Sequence, residues 1–129
     1  MDKAKILIVE DEQEVLAYFK GSLERKFFAD IETAQDGRQA IDAIRNNDFD
    51  LVIMDLKMPQ CNGLDVMRRV KKTKELPDTI IVTAYDSGFV SKEAKEVGAV
   101  DYIPKPLNME VFLSKAKAIL TAKGLFVEK

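Results

Sequence analysis

The chain has 129 residues, of which 47% are hydrophobic and 33% charged, and its formal net charge is −2. These values are typical of one globular domain and exclude a disordered chain. The slight acidity argues against a broad nucleic-acid-binding surface, and no apolar stretch reaches the length of a membrane span. The sequence has no histidine, and Cys61 is its single cysteine. We therefore expect a cytoplasmic protein without an internal disulfide.

Short apolar runs alternate with amphipathic segments along the chain. In chain order, the apolar runs predict strands at residues 5–9, 31–34, 51–54, 80–83 and around 102–103. A segment with helical spacing of apolar residues follows each of them. Asp36 and Asn108 are suited to begin the second and the fifth helix, and Gly98 and Gly124 to end the fourth and the fifth.

The strict alternation of strands and helices predicts a parallel sheet with right-handed crossovers and helices on both faces. The first, third and fourth strands are the most apolar and should be central, whereas the second and fifth suit the edges. This gives a five-stranded sheet of order 2-1-3-4-5, the flavodoxin-like doubly wound (βα)5 fold of the α/β class. We assign residues 1–124 to this domain and residues 125–129 to a C-terminal tail.

Polar residues stand where these strands end. Glu10 and Asp11 follow the first strand and Asp55 follows the third, so the three carboxylates should meet at the point where the winding reverses. Carboxylates this close repel one another unless a cation enters, and oxygen ligands favour Mg²⁺. Thr83 and Lys105 end or follow the fourth and fifth strands at the same edge. Such a site could accept a phosphoryl group at Asp55.

Each of these residues also has a simpler interpretation. Asp11 could cap the first helix, and Asp55 could cap the loop that follows it. Thr83 could be an ordinary strand-ending residue, and Lys105 a solvated surface lysine. Their joint occurrence at the strand ends favours a functional site over independent coincidences.

Six short motifs occur at or near these strand ends. They are residues 6–11, 55–59, Gly63, 82–84, 98–99 and 105–106. In this order they resemble the receiver domain of bacterial two-component response regulators, over nearly the whole chain.

The resemblance implies a set of roles. Asp55 would be phosphorylated by a phosphohistidine donor, either a sensor histidine kinase or a histidine phosphotransfer protein. Mg²⁺, with Mn²⁺ as a substitute, would be held by Asp11, Asp55, the backbone carbonyl of Lys57 and, through water, Glu10. Lys105 would contact the phosphoryl group and precede a cis proline. Beyond its own phosphorylation and dephosphorylation, the domain would not be an enzyme.

The resemblance also implies a switch. Thr83 would move toward the phosphoryl oxygens and Tyr102 would turn inward, which would reshape the face built by the fourth helix, fifth strand and fifth helix. A phosphorylation-dependent dimer could form through that face, whereas direct binding of nucleic acid or membrane is not expected. The resemblance further implies that Lys57 and Tyr85 would flank the path of a hydrolytic water, which suggests a persistent phosphoryl state. The sequence names neither the kinase nor the output partner.

Three other functions fit the same fold. A Mg²⁺-dependent hydrolase with an aspartyl nucleophile would need a second acidic residue two positions after Asp55, where Lys57 stands. Flavin binding is disfavoured because the acidic loop at residues 10–14 would repel a phosphate. A docking module that acts without phosphorylation is disfavoured because every site position is filled.

Overall fold

In the computed structural model, residues 3–58, 61–84, 88–125 and 127–129 are described. Within these ranges five strands alternate with five helices, as the sequence pattern predicts. In chain order they are β1 (Ala4–Val9), α1 (Gln13–Lys26), β2 (Ala29–Ala34), α2 (Gly37–Asn46), β3 (Leu51–Met54), α3 (Gly63–Lys71), β4 (Thr79–Thr83), α4 (Gly88–Val97), β5 (Asp101–Pro104) and α5 (Met109–Ala122).

The strands form one parallel sheet in the order β2-β1-β3-β4-β5, which confirms the predicted fold. In the register Val9 lies opposite Met54, so β1 and β3 end level with each other. The pairing continues one residue further, because the Asp55 backbone N–H donates to the Val9 carbonyl at 3.0 Å. The Lys105 N–H donates in the same way to the Thr83 carbonyl at 2.8 Å. The sheet itself therefore positions both residues.

Two apolar cores lie on the two faces of the sheet. Alternate residues of a strand point to opposite faces, so Ile6 and Ile8 pack with α1 and α5, whereas Leu7 and Val9 pack with α2, α3 and α4. Strands that are covered on both faces must be apolar throughout, which explains the unbroken run at 51–54. None of the helices in the described ranges combines the length and the apolar character that a membrane crossing would require.

The predicted helix starts are present. The Asp36 side chain accepts the Gln39 backbone N–H at 2.8 Å, and the Asn108 side chain accepts that of Val111 at 3.2 Å. The Gln39 side chain reaches back past the cap and accepts the backbone N–H of Gln35, one residue before Asp36, at 2.9 Å. The hydrogen bonds to the Asp36 and Asn108 side chains satisfy backbone N–H groups of the first helical turn, which have no partner within the helix.

The C-terminal residues return to the body of the domain. Gly124, with φ 83°, ends α5 in the left-handed conformation that glycine adopts readily. Residues 127–129 run antiparallel to the chain at the end of α1, where Glu128 pairs with Phe27. The Val127 carbonyl accepts the Phe28 N–H at 2.6 Å, and the Lys129 N–H donates to the Lys26 carbonyl at 3.0 Å. Val127 is only 2% exposed, so the predicted tail contributes to the core.

Replacing Gly63 with alanine should destabilise the fold. A Cβ at this position would lie 2.8 Å from the Asp55 carbonyl oxygen and 3.0 Å from the Leu56 and Met54 side chains. Because the nearest atom belongs to the backbone, the loop after β3 must shift, which we expect to cost about 1–3 kcal/mol. Urea unfolding measures this cost. Gly88→Ala is the control, because a Cβ there meets nothing within 4 Å. Equal stability of the two variants would contradict the prediction.

Candidate functional site

The structure brings the predicted site residues together at the carboxyl edge of the sheet. Glu10 and Asp11 follow β1, Asp55 follows β3, Thr83 is the last residue of β4, and Lys105 follows β5. Because the strands are parallel, their carboxyl ends meet at one edge, and the winding of the sheet reverses between β1 and β3. The site is thus assembled from residues that lie far apart in the sequence.

Three carboxylates lie close together in the site. Glu10, Asp11 and Asp55 each place an oxygen within 4.8 Å of the other two. Glu10 is 2% exposed and Asp55 8% exposed, while Asp11 is half-buried. An all-oxygen donor set of this kind fits a hard divalent cation such as Mg²⁺. Asp11 is not the cap of α1, because that position belongs to Glu12, whose side chain makes no capping hydrogen bond.

Lys105 joins two of these carboxylates. Its Nζ donates to Glu10 Oε1 at 2.6 Å and to Asp55 Oδ2 at 3.0 Å, and the side chain is 19% exposed. These contacts exclude the solvated surface interpretation of this lysine. The Lys105–Pro106 peptide bond is cis, as the resemblance implied.

The second oxygen of each carboxylate accepts a backbone N–H. Glu10 Oε2 accepts that of Glu12 at 3.1 Å, and Asp55 Oδ1 accepts that of Lys57 at 3.0 Å. Asp55 therefore does stabilise the loop that follows it, as its simpler interpretation proposed, and it faces Lys105 at the same time. The Lys57 side chain is exposed. Tyr85, the other residue predicted to influence phosphoryl lifetime, lies outside the described residues.

Burial and hydrogen bonding have opposite effects on the pKa values of Glu10 and Lys105. Burial raises the pKa of Glu10 and outweighs the hydrogen bonds from Lys105 and from the Glu12 backbone, which lower it. Burial by itself would lower the pKa of Lys105, but its hydrogen bonds to Glu10 and Asp55 prevail and raise that pKa. Lys105 is consequently charged at neutral pH and neutralises part of the negative charge of the carboxylates.

The two predicted switch residues lie on neighbouring strands. Thr83 is fully buried at the end of β4. Tyr102 is half-buried on β5 and packs against the core under α2, α3 and α4. Its backbone N–H donates to the Asp101 carboxylate at 2.8 Å, and the other oxygen of that carboxylate accepts Lys115 Nζ, also at 2.8 Å. The position of Tyr102 is thus tied to α5.

An apolar surface borders the site, and the sequence pattern alone did not identify it. This surface, the α1 patch, is lined by Val15, Tyr18, Phe19, Ala84, Pro106 and Leu107, and Lys105 lies at its margin. Tyr18 is 55% exposed although it lies on a helix whose other large apolar residues face the core. That exposure depends on how α1 packs beside the loop after β5, which helical spacing does not reveal.

The family of the chain follows from its sequence. The family model for the response regulator receiver domain matches residues 6–117. The chain belongs to this family. Among named relatives, the response regulator ArlR of Staphylococcus saprophyticus is 32% identical over 97% of the chain, and the response regulator MprA of a Mycobacterium species is 36% identical over 90%. The chain spans 60% and 50% of the lengths of these two proteins.

Solved structures agree with this assignment. A CheY-like receiver domain from Methanospirillum hungatei is 30% identical, with a TM-score of 0.86 over 95% of this chain and 98% of that one. A two-component response regulator from Clostridium difficile is 27% identical, with a TM-score of 0.88 over 95% of this chain and 100% of that one. The receiver fold therefore extends over nearly all of the chain.

Replacing Lys105 with methionine should raise the pKa of Glu10 further, since the contacts with Lys105 lower it. A glutamate whose pKa is higher in the folded protein than in the unfolded chain stabilises the fold fully only below its unfolded pKa of about 4.3. This contribution is lost as the pH rises through the folded pKa. The variant should therefore be less stable at pH 7 without divalent cations, by at most about 3–5 kcal/mol, because two buried carboxylates lose their counter-charge. Side-chain carboxyl NMR and urea unfolding measure the two effects.

The matched control is Lys115→Met, which breaks the more exposed ion pair with Asp101. This change should leave the titration of Glu10 unaltered and cost no more than about 1 kcal/mol. A lower titration midpoint of Glu10 in Lys105→Met than in the wild-type protein would contradict the prediction.

Proposed function

We propose that this receiver domain is a phosphoacceptor that takes a phosphoryl group from a phosphohistidine donor onto Asp55. The observation that carries the proposal is the contact between Lys105 Nζ and Asp55 Oδ2 at 3.0 Å, at the end of a buried central strand. This contact places the Lys105 ammonium beside the carboxylate that would act as the nucleophile. An acyl phosphate is a known form of covalent catalysis by aspartate.

The transfer can be written on the residues of the chain. A carboxylate oxygen of Asp55 attacks the phosphorus atom, the P–N bond to the donor imidazole breaks, and the bonding electrons remain on that nitrogen. The Lys105 ammonium faces the negative phosphoryl oxygens, and the Thr83 hydroxyl can donate to one of them. Positioning and charge neutralisation are the main contributions of a protein to such a transfer. Hydrolysis of the acyl phosphate by water restores Asp55 and releases inorganic phosphate.

Lys105 compensates only part of the charge of three carboxylates, so the site needs a further cation. Asp11, Asp55, the Lys57 backbone carbonyl and, through water, Glu10 would hold Mg²⁺ or Mn²⁺. When bound, the ion would neutralise charge on the transferring phosphoryl oxygens. The oxygen donors present are those that such ions prefer.

The hydrolase alternative is weaker because its general acid is absent from the expected position. Two residues after Asp55 the chain carries Lys57, whose side chain is exposed and whose backbone N–H holds Asp55 in place. We propose instead that this residue, with Tyr85, prolongs the phosphoryl state by restricting the approach of water.

Phosphorylation should act on a pre-existing equilibrium between two conformations. It adds about one negative charge and new acceptor oxygens to a site that Mg²⁺ and Lys105 bring close to neutrality. The phosphoryl group can shift this equilibrium only by the difference between the contacts it makes in the two conformations, which is at most a few kcal/mol. We propose that Thr83 and Tyr102 carry this shift to the face formed by α4, β5 and α5, where a partner or a second copy would bind.

Acetyl phosphate with Mg²⁺ should phosphorylate the wild-type protein, with a mass gain of one labile phosphoryl group. Asp55→Asn should abolish the gain, because the amide is not a nucleophile, and EDTA should prevent it. Asp30→Asn is the matched control, since Asp30 is an exposed aspartate on the edge strand. Intact-protein mass spectrometry measures the gain. No gain on the wild type, or an undiminished gain on Asp55→Asn, would overturn the proposed function.

Dephosphorylation should accelerate when Lys57→Asn is combined with Tyr85→Ala, because water would reach the acyl phosphate more easily. The decay of the phosphorylated mass at fixed pH and Mg²⁺ measures the rate. We expect an increase of roughly tenfold, which corresponds to about 1.4 kcal/mol of barrier. A rate equal to that of the wild type would contradict the role of these two residues.

We propose that the α1 patch is the docking surface for the phosphohistidine donor, because it lies beside Lys105 and exposes a large aromatic residue. Tyr18→Ser should slow transfer from a phosphorylated histidine phosphotransfer protein by roughly tenfold, as expected for an interface anchor. Transfer from acetyl phosphate, which needs no docking, should be unchanged.

The control for this experiment is Phe28→Ser, a similarly exposed aromatic residue next to the opposite end of the sheet. Quench-flow measurement of both reactions separates docking from chemistry. Equal slowing of both reactions by Tyr18→Ser would place the defect in the site and contradict the docking role.

A further inference from the structure

A cleft between α2 and α3 has a chemistry that the phosphoacceptor site does not use. Its volume is about 600 Å³, and it is lined by Asp36, Gly37, Arg38, Ile41, Asp42, Arg45, Cys61 and Arg69. Small-molecule sites in proteins typically have volumes of roughly 300–1,000 Å³. The cleft is therefore large enough for a ligand of nucleotide size.

Three arginines contribute positive charge to this cleft. Arg38 and Arg45 lie on α2 and Arg69 on α3, and all three are exposed. Within the described part of the chain, their guanidinium groups make no hydrogen bond or ion pair. Neighbouring Arg68 differs, since it pairs with Asp65 and with Glu93. The positive charge of these three arginines is thus not paired within the described residues, whereas Arg68 on the same helix as Arg69 is paired.

The acidic residues of the cleft cancel only part of this charge. Asp36 already accepts a backbone N–H as the cap of α2, and Asp42 forms no ion pair within the described ranges. Two carboxylates against three guanidiniums leave a net positive charge, although the whole chain carries −2. Guanidinium groups bind phosphate groups through paired hydrogen bonds in a fixed geometry.

The wall of the cleft is closely packed where α2 begins. Gly37 is in contact with Cys61, and a Cβ on this glycine would lie 2.8 Å from the Cys61 Cβ. Ile41, which is buried, adds an apolar surface beside the charged groups. The rest of the lining is mostly charged, so a ligand would be held chiefly by the guanidinium groups.

We propose that this cleft binds a small polyphosphate-bearing molecule, of the class of nucleoside di- or triphosphates, through Arg38, Arg45 and Arg69. The phosphate chain would lie among the guanidiniums, with the remainder of the ligand against Ile41. The site is separate from the carboxylate cluster, so this binding does not require phosphorylation of Asp55.

Cys61 provides a direct readout, since it lines the cleft and is the single cysteine of the chain. Burial raises the pKa of its thiol, so alkylation with the neutral reagent iodoacetamide is best followed at mildly alkaline pH. ATP and inorganic tripolyphosphate, without added divalent cations and at matched ionic strength, should both slow alkylation in a saturable manner. Calorimetric titration of the wild-type protein measures the affinity independently.

Arg69→Gln and Arg45→Gln should each weaken binding of both probes by about tenfold, the usual effect of losing one charged hydrogen-bonding group. Arg68→Gln, on the same helix but already paired, should leave the affinity unchanged. Unfolding midpoints equal to that of the wild type would show that the variants remain folded.

Three results would overturn the proposal. They are an absence of saturable protection by both probes, an equal loss of affinity in Arg68→Gln, and equal protection by a polyglutamate peptide. The last result would indicate an acidic protein segment as the ligand.

Discussion

The ammonium group of Lys105 between Glu10 and Asp55 is the interaction on which the site depends. Two buried carboxylates at the end of a central sheet would repel each other and would be strongly destabilised by loss of hydration. Lys105 lies 2.6 Å from one and 3.0 Å from the other, and backbone N–H groups satisfy their remaining oxygens. Asp11 adds a third carboxylate that this lysine does not contact. The pairing therefore stabilises two of the carboxylates and leaves a three-carboxylate donor set of the kind that suits a divalent cation.

The geometry of this pairing comes from the sheet. Hydrogen bonds of the parallel ladder continue past Val9 and Thr83, so Asp55 and Lys105 leave the sheet in fixed directions. Gly63 lets the start of α3 approach the Asp55 carbonyl closely, which holds the loop after β3 against the strand. A site built from strand ends is held more rigidly than one built on loops alone, because the packed core on both faces fixes the strands.

Charge is unevenly distributed over the domain, although its total is close to zero. Three carboxylates lie together at the carboxyl edge of the sheet, and three arginines line the cleft between α2 and α3. The opposite end of the molecule has a structural role, since residues 127–129 hydrogen-bond to the chain at the end of α1 and Val127 is buried there. The acidic cluster, the arginine-lined cleft and the C-terminal contact thus lie in three separate regions of one small fold.

Sequence patterns are sufficient to predict the strands, the order of the sheet and the edge at which the carboxylates meet. The unbroken apolar run at residues 51–54, the cap at Asp36 and the glycine at Gly124 are local signals, because each follows from the conformation or burial of a short segment. Family motifs at the strand ends then indicated the roles of Asp55 and Lys105.

Which charges pair within the described residues depends instead on how the helices and strands pack together. Lys105 and Glu10 are 95 residues apart, and nothing in the sequence around either residue indicates a direct contact. The return of residues 127–129 to α1 and the grouping of Arg38, Arg45 and Arg69 in one cleft likewise depend on helix packing. Periodicity shows which face of a helix is buried, whereas distances between exposed side chains on different helices are set only when the helices are packed together.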